Sequence, residues 1–256
     1  MSIELIQHLE YLSCNAWPAI IIRVMDGWRL RFNWGVTRRA NSVWPNEANN
    51  RRGLTEKLMM VKDFYSFWNC PARYQICPAA QPADLDTILA DRGYTSDALT
   101  AVQIAPSSTV LARTFSNPNY TVTITDSFDR RWFDTYCQIE QIHERTAETR
   151  QRILQRIHPP TGYALLQVEE RPIAVGLTVT EQDWAGIFCL ATHPNFRGQG
   201  AATTILHALT EWSQQHHQIK QIYLQVMENN APALALYNRA GFETLYHYHY
   251  RETPAK

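Results

Sequence analysis

The sequence predicts an α/β protein made of two domains, and three observations support this prediction. The chain has 256 residues, which is enough for one large domain or for two of ordinary size with separate cores. Patterns typical of strands alternate with patterns typical of helices, as in layered α/β folds. The order strand, helix, glycine, aromatic residue, strand occurs twice, and its glycines, Gly93 and Gly241, lie 148 positions apart (241 − 93). This spacing indicates a domain repeat, with coincidence as the alternative for so short a match.

The first half is predicted to begin with a helix and then a hairpin. Asp26-Gly27 is a typical two-residue hairpin turn, and it lies within a run of apolar and aromatic residues. The hairpin region extends through residues 37–45. The elements predicted after it are a helix over 56–69, a strand over 73–77, a helix over 83–94 that ends at Gly93, and a strand over 98–105.

Residues 105–120 are rich in Ser, Pro and Asn and have no clear period, which indicates a linker. We therefore expect an N-terminal domain over residues 1–106, a linker over 107–118 and a C-terminal domain over 119–256. The elements predicted for the C-terminal domain are strands over 120–127, 163–169, 173–180, 186–192, 221–227 and 243–252, and helices over 133–143, 147–158, 202–216 and 231–241.

The composition excludes several classes of protein. Lys and Arg total 24 and so do Asp and Glu, so no overall positive charge is available for nucleic acid. The hydrophobic fraction is 45% and the charged fraction 19%, as in soluble globular proteins. No run reaches the roughly 18 apolar residues of a membrane helix. Glu4 and Glu10 lie where a secretory signal would be basic and then apolar, so we expect a cytoplasmic protein without membrane or nucleic-acid partners.

The five cysteines are odd in number, scattered and without a Cys-x-x-Cys pair. This usage favours reduced, mostly buried thiols over a disulfide or zinc framework.

A candidate anion site lies in the segment NFRGQGAATTILHAL, residues 195–209. Gly198 and Gly200 precede an apolar, helix-like run. The first N–H groups of a helix lack intrahelical partners and lie at the positive end of its dipole, so phosphate oxygens bind there. Glycine lets the backbone approach a ligand closely and tolerates positive φ. On these residues alone, an ordinary loop before a helix is the alternative.

Two motifs follow each other in the second half, separated by a predicted helix and strand. Arg197, Gly200 and Ala202 match the pattern Arg/Gln-x-x-Gly-x-Gly/Ala, and residues 230–242 match Asn-x-x-Ala-x-x-Leu-Tyr-x-x-x-Gly-Phe. In this combination residues 119–252 resemble the GNAT superfamily of acyl-CoA-dependent N-acyltransferases.

The resemblance extends to the first half, where residues 15–45 are similar to the start of bacterial two-lobed GNAT proteins, whose leading domain is a degenerate copy. It implies tandem GNAT-like domains, each a mixed, mostly antiparallel sheet flanked by helices, with splayed central strands in the C-terminal copy. Most of the five tryptophans in this half are expected in its core. Some of these tryptophans, with Arg38, Arg39 and Asn41, are candidates for an acceptor site there.

The resemblance also implies a site for acetyl-CoA as co-substrate, with no metal. Its pyrophosphate would lie on the backbone N–H groups of the turn and helix start, namely Gly198, Gln199, Gly200, Ala201 and Ala202. Arg197 would add positive charge, with a solvated surface arginine as the alternative. The pantetheine arm would pair with the backbone of Leu190, Ala191 and Thr192, where an N–H would also polarise the thioester carbonyl.

Tyr237 is the catalytic candidate. In the family a neutral amine attacks the thioester directly, and a Tyr O–H protonates the departing thiolate; a phenol pKa near 10 suits a thiolate whose conjugate acid is near 8.5. A core tyrosine is the alternative. Asn230 is expected to contact coenzyme A, to cap the following helix, or both, and Asn229 could serve equally as the cap.

The general base is open, with Asp183 and Glu228 as the two carboxylates nearest the site in sequence. His193 is expected at the surface. Cys189 is expected to be a buried strand cysteine rather than a nucleophile. His247 and His249 share one strand face, which is expected to be polar rather than metal-binding.

The sequence thus predicts an acetyl-CoA-dependent N-acetyltransferase that acts on the primary amine of a small molecule or peptide. The alternatives are a non-catalytic acyl-CoA sensor and a scaffolding pseudoenzyme.

Overall fold

The computed structural model of the chain describes residues 2–49 and 51–253. The helices are α1 (Ile3–Ala16), α2 (Leu54–Phe67), α3 (Leu85–Asp91), α4 (Ser107–Arg113), α5 (Arg130–Glu140), α6 (Glu144–Leu154), α7 (Ala201–His217) and α8 (Ala231–Arg239). The strands are β1 (Ile21–Met25), β2 (Trp28–Phe32), β3 (Val43–Trp44), β4 (Arg73–Ile76), β5 (Thr95–Pro106), β6 (Thr121–Thr125), β7 (Thr161–Val168), β8 (Arg171–Glu181), β9 (Trp184–Thr192), β10 (Gln221–Met227) and β11 (Glu243–Glu252). In the part of the chain described, no helix has the length and apolar character needed to cross a membrane.

These residues divide into two compact units. The first contains the residues up to Ala101 and those from Tyr246 onward, and the second runs from Val102 to Leu245. Strands β5 and β11 therefore contribute residues to both units. The segment predicted as a linker contains the short helix α4, which the sequence analysis missed because seven residues are too few to show a helical period.

In the first unit the strands follow the order β1-β2-β3-β4-β11-β5. β1 and β2 form the predicted antiparallel hairpin, with Asp26 (φ 46°) and Gly27 (φ 83°) at its turn. A Cβ at Gly27 would lie 2.4 Å from the carbonyl oxygen of Glu47, so only glycine fits there. β3 runs parallel to β4, and β4 antiparallel to β11, which makes this sheet mixed and mostly antiparallel, as predicted.

A buried carboxyl group lies inside the first unit. Glu10 of α1 is 1% exposed, and its two oxygens accept hydrogen bonds from Tyr246 Oη (2.8 Å) and Gln75 Nε2 (2.6 Å). Burial raises the pKa of Glu10 from its ordinary 4.5 to about 7, although these hydrogen bonds and the charges of Arg31 and Arg39 act in the opposite direction. Folding therefore favours the protonated form of this side chain.

Stability should consequently fall as pH rises through the neutral range. A carboxyl whose pKa is raised in the folded state contributes full stability below its unfolded pKa and loses it as pH rises through the folded pKa. Between about pH 5 and about pH 8, wild type should lose about 2 kcal/mol of unfolding free energy relative to Glu10→Gln, measured by urea unfolding. Glu56→Gln, at an exposed glutamate, should keep the wild-type profile. If the unfolding free energies of Glu10→Gln and wild type change with pH in the same way, folding does not raise the pKa of Glu10.

In the second unit, β6, β7, β8 and β9 form an antiparallel meander, and β10 pairs with β9 in parallel. The pairing of β9 with β10 ends at Ile187 and Leu224, whereas the two strands continue to Thr192 and Met227. The central strands thus separate toward their carboxyl ends, which confirms the predicted splay.

A β-bulge in β9 lies at the start of this separation. Val175 of β8 pairs with Ala191, whereas Leu177 pairs with Phe188, so Gly176 faces both Cys189 and Leu190. Cys189 accordingly has a positive φ of 51°.

Gly176, the residue opposite the bulge, has close contacts on both sides that leave no room for a side chain. A Cβ at Gly176 would lie 2.4 Å from Ile205 and 2.9 Å from Leu209 of α7, so this helix packs directly on the β8 backbone. The carbonyl of Gly176 accepts a hydrogen bond of 2.9 Å from Trp132 Nε1 of α5. The bulge is therefore held between two helices.

The repeated pattern in the sequence corresponds to a repeated helix ending. Gly93 after α3 and Gly241 after α8 both have left-handed backbone conformations, with φ of 82° and 92°. In each case the next amide donates back across the turn: Tyr94 N–H to Leu89 O and Phe242 N–H to Tyr237 O, both 3.0 Å. By this correspondence, Leu89 occupies in the first unit the position that Tyr237 occupies in the second.

Candidate active site

The glycine turn immediately precedes α7. Gly198 and Gly200 both have positive φ, at 74° and 86°, which side chains rarely adopt. A Cβ at Gly198 would meet no described atom within 4 Å, so the backbone there is open to a ligand. Thr204 N–H donates to Gly200 O (2.9 Å), so the amides of Ala201 and Ala202 precede the hydrogen-bond ladder of the helix. The turn thus has the geometry of an anion-binding helix start.

Neighbouring side chains fix the shape of this turn. Tyr120 Oη donates to the carbonyl of Gln199 (2.9 Å), and Gln199 Nε2 donates to the carbonyl of Asn195 (3.0 Å). The ring of Phe115 lies 3.6 Å from where a Cβ of Gly200 would be. Tyr120 and Phe115 are residues that the sequence analysis did not identify, because no pattern connects an aromatic residue before β6 with a turn some 80 positions later.

Arg197 brings the turn and β9 together. Its Nε donates to the carbonyl of Thr192 at 3.3 Å, which holds the guanidinium at the carboxyl end of the strand. The side chain is exposed to solvent, so the structure leaves both the predicted charge role and the solvated surface arginine open. His193 lies between them and caps a short 3-10 helix, its Nδ1 accepting from Asn195 N–H (3.3 Å).

The predicted thioester-binding segment, Leu190–Thr192, lies within the part of β9 that no longer pairs with β10. Ala191 and Thr192 still pair with β8. Within the described residues, Thr192 Oγ1 is buried without a hydrogen-bond partner. Burying a hydroxyl without a hydrogen bond costs about 1–3 kcal/mol. A bound polar group that forms a hydrogen bond with this hydroxyl would recover that cost.

Tyr237 lies on α8, and Asn230 immediately precedes this helix. Asn230 is the N-cap, with Oδ1 accepting from Ala233 N–H at 3.3 Å, so the cap is Asn230 and not Asn229. Tyr237 is 8% exposed, and its ring packs edge-on against Phe242 with centroids 5.7 Å apart. Burial raises its pKa to about 12, so the hydroxyl keeps its proton throughout the neutral range.

The two candidate bases lie at opposite ends of the splayed strands. Asp183 precedes the first residue of β9 and lies about 23 Å along the strand from Leu190, at roughly 3.3 Å per residue. Glu228 follows the last residue of β10, and because β10 runs parallel to β9 it lies at the same end as Ala191 and Thr192. The register therefore favours Glu228.

The bulge residue Cys189 lies against α5. It hydrogen-bonds Tyr136 and lies near Tyr163, and Tyr136 Oη accepts from Arg150 Nη1 at 2.6 Å. Burial, followed by the electrostatic effect of Cys189, raises the pKa of Tyr136 well above its usual value. The sequence carries no signal for this cluster, because it depends on the bulge.

In the first unit, three other candidates, His249, Arg38 and Asn41, contact neighbouring residues. His249 Nε2 lies 2.8 Å from Asp86 Oδ1, and Arg251 also pairs with that carboxylate. Arg38 pairs with Asp97, and the side-chain amide of Asn41 bonds backbone groups of the loop over residues 33–37. Of the five tryptophans, Trp17, Trp28 and Trp44 are buried and Trp34 is 38% exposed.

Comparisons with known proteins show which family and fold this chain resembles. The family model described as "Probable histone acetyltransferase Rv0428c C-terminal" matches residues 4–251. YobR of Bacillus subtilis (strain 168), named as an uncharacterized N-acetyltransferase, is 29% identical over 246 residues, which are 96% of this chain and 98% of YobR.

Solved structures show the same fold at low identity. A GCN5-related N-acetyltransferase from Kribbella flavida has a TM-score of 0.72 and 12% identity, covering 100% of this chain and 96% of its own. A tandem GNAT protein from the clavulanic acid biosynthesis pathway has a TM-score of 0.62 and 15% identity, covering 81% and 73%. The chain belongs to the Rv0428c C-terminal acetyltransferase family, and its fold is that of GNAT-type N-acetyltransferases, a tandem one among them.

Proposed function

We propose that the second unit transfers an acetyl group from acetyl-CoA to the primary amine of an acceptor by direct attack within a ternary complex. The observation that carries this proposal is the separation of β9 from β10 just before the glycine turn. It leaves strand backbone open for the pantetheine arm, and helix-start amides a few residues further on for the pyrophosphate. The open space at Gly198 and the unpartnered hydroxyl of Thr192 fit such a ligand.

The reaction needs one bond to form and one to break. The neutral amine nitrogen attacks the thioester carbon, and a backbone N–H of residues 190–192 stabilises the negative oxygen that develops. The carbon–sulfur bond then breaks as the intermediate collapses, and Tyr237 Oη gives its proton to the thiolate. The proton lost by the amine nitrogen leaves through water toward Glu228, which passes it to solvent, and Tyr237 regains from solvent the proton that it gave to the thiolate. The products are the N-acetyl amine and coenzyme A with a free thiol.

The proposal is tested by measuring thiol release from acetyl-CoA by the full-length protein across a library of amines. The library includes a lysine-rich peptide, because the family description names a histone acetyltransferase. Amine-dependent release supports the proposal. Binding of acetyl-CoA without release by any amine would support a sensor instead, and the absence of binding would support a scaffold.

The assignment of the base gives a separate prediction. Glu228→Gln should lower turnover about 10-fold, less than the 10²- to 10⁴-fold usual for a fixed acid or base, because water can still accept the proton. Asp183→Asn is the matched control and should leave turnover unchanged, since Asp183 lies at the other end of β9. Steady-state rates of the two variants at saturating acetyl-CoA show which of the two carboxylates is the base. A larger loss with Asp183→Asn would contradict the assignment.

A further inference from the structure

The first unit contains a cavity that the proposed acetyl transfer does not use. Its volume is about 390 Å³, within the range of roughly 300–1,000 Å³ typical of small-molecule sites. Residues of α1, of the β1–β2 hairpin and of the segment at and after β3 line it. All belong to the first unit, whereas the glycine turn and Tyr237 belong to the second.

The charges around this cavity favour a cation. Among the described residues that line it are the carboxyl groups of Glu4, Glu10 and Glu47 and one guanidinium, that of Arg29, which pairs with Glu47. Glu10 forms the buried inner part of the lining, whereas Glu4 and Glu47 are exposed at the surface. Arg29 offsets the charge of Glu47, whereas Glu4 is a further carboxylate and Glu10, whose pKa is raised to about 7, adds negative charge once it is deprotonated. The lining is therefore net negative, so it repels a ligand phosphate or carboxylate and attracts an ammonium group.

The guanidinium of Arg29 is itself an organic cation bound at the cavity lining. Its guanidinium lies 5.3 Å from the ring centroid of Tyr11, and its Nη2 lies 3.1 Å from Glu47 Oε1. One carboxylate and one aromatic face thus bind a cation together, an arrangement that also recognises ammonium ligands. Trp44, which is 3% exposed, adds a second aromatic surface to the lining.

The inner carboxylate is held rigidly. Tyr246 Oη and Gln75 Nε2 each donate to one oxygen of Glu10, and Gln75 Oε1 in turn accepts from Trp44 Nε1 at 3.1 Å. Arg31, the nearby buried cation, lies over the Trp44 ring at 4.8 Å. The lining is therefore a preorganised polar network, which lowers the cost of ordering a ligand there.

We propose that this cavity is a second ligand site, specific for a small organic cation that combines an ammonium group with a compact aromatic or apolar body. The carboxylates would attract the ammonium group, and Tyr11 and Trp44 would contact the body. The site binds without catalysing acetyl transfer, because Leu89 stands where the second unit has Tyr237 and residues 1–106 contain no counterpart of the turn Arg197–Gly200.

The test compares three probes of nearly equal shape on the full-length protein: phenethylamine, 2-phenylethanol and 3-phenylpropionate, which are positive, neutral and negative. Calorimetry should detect phenethylamine with a Kd of about 1 mM or tighter, as expected for a ligand of about ten heavy atoms. The alcohol and the acid should bind at least about tenfold more weakly. Equal affinity for the three probes, or no saturable binding of phenethylamine, would overturn the proposal.

Variants separate this cavity from the proposed acceptor site, which also takes amines. Glu47→Gln removes an exposed carboxylate from the cavity and should weaken phenethylamine binding at least about fivefold, as for loss of a charge-assisted contact. Glu56→Gln is the matched control, because Glu56 is an exposed glutamate outside the cavity. Glu228→Gln tests whether phenethylamine binds instead at the proposed acceptor site of the second unit. Neither should change the affinity. A loss with Glu228→Gln and none with Glu47→Gln would overturn the proposal while leaving the proposed function intact.

Discussion

Tyr237→Phe is expected to lower the turnover number by about 10²- to 10⁴-fold, the usual span for loss of a general acid. The ring, its edge contact with Phe242 and the helix propensity are all kept, so the fold and the affinity for acetyl-CoA should survive. Because the hydroxyl acts mainly in the transition state, kcat and kcat/KM should fall together while KM for acetyl-CoA changes little. Steady-state kinetics with an identified acceptor measures all three quantities.

A matched control separates catalysis from the loss of a buried hydroxyl. Tyr163 lies in the same unit, is 3% exposed and donates to Leu154 O at 3.2 Å. Tyr163→Phe should therefore cost stability of about 1 kcal/mol without a comparable loss of turnover. If turnover by Tyr237→Phe equals that of wild type, water or another group protonates the thiolate and Tyr237 is a packing residue.

Gly200→Val is expected to reduce acetyl-CoA affinity by at least about 100-fold, which corresponds to two lost charge-assisted hydrogen bonds of about 1.5 kcal/mol each. A side chain at φ 86° is strained, and relief of that strain would rotate the turn amides away from the phosphates. Calorimetric titration with acetyl-CoA measures the loss, and circular dichroism checks that the fold is kept.

Gly53 provides the matched control for this change. Like Gly200 it is the N-cap of a helix, but its φ is −67° and a Cβ there would meet nothing within 4 Å. Gly53→Val should bind acetyl-CoA as wild type does. Unchanged affinity in a folded Gly200→Val protein would contradict the anion-binding role of the turn.

Most individual elements could be predicted from the sequence because their signals are local. The turn at Asp26-Gly27 and the helix endings at Gly93 and Gly241 depend on backbone conformations that few residue types adopt, and all three are present. The splay of the central strands followed from the family resemblance rather than from any local pattern.

The features that were not predicted depend on contacts between distant residues. The bulge at Cys189 is opposite Gly176, where α7 and Trp132 crowd the strand, and no periodicity in β9 reveals it. The choice between Asp183 and Glu228 depends on the parallel register of two strands. Glu10 looks in sequence like a surface residue of an amphipathic helix, and only its partners Tyr246 and Gln75 show that it is buried.

Mass spectrometry of a single turnover with ¹³C-acetyl-CoA and an identified amine acceptor tests whether this chain transfers the acetyl group directly. Direct transfer should give free coenzyme A and labelled N-acetyl product in equal amounts, with no label on the protein at any time. Label bound to the protein, for example at Cys189, or thiol release without acetylated amine, would contradict it.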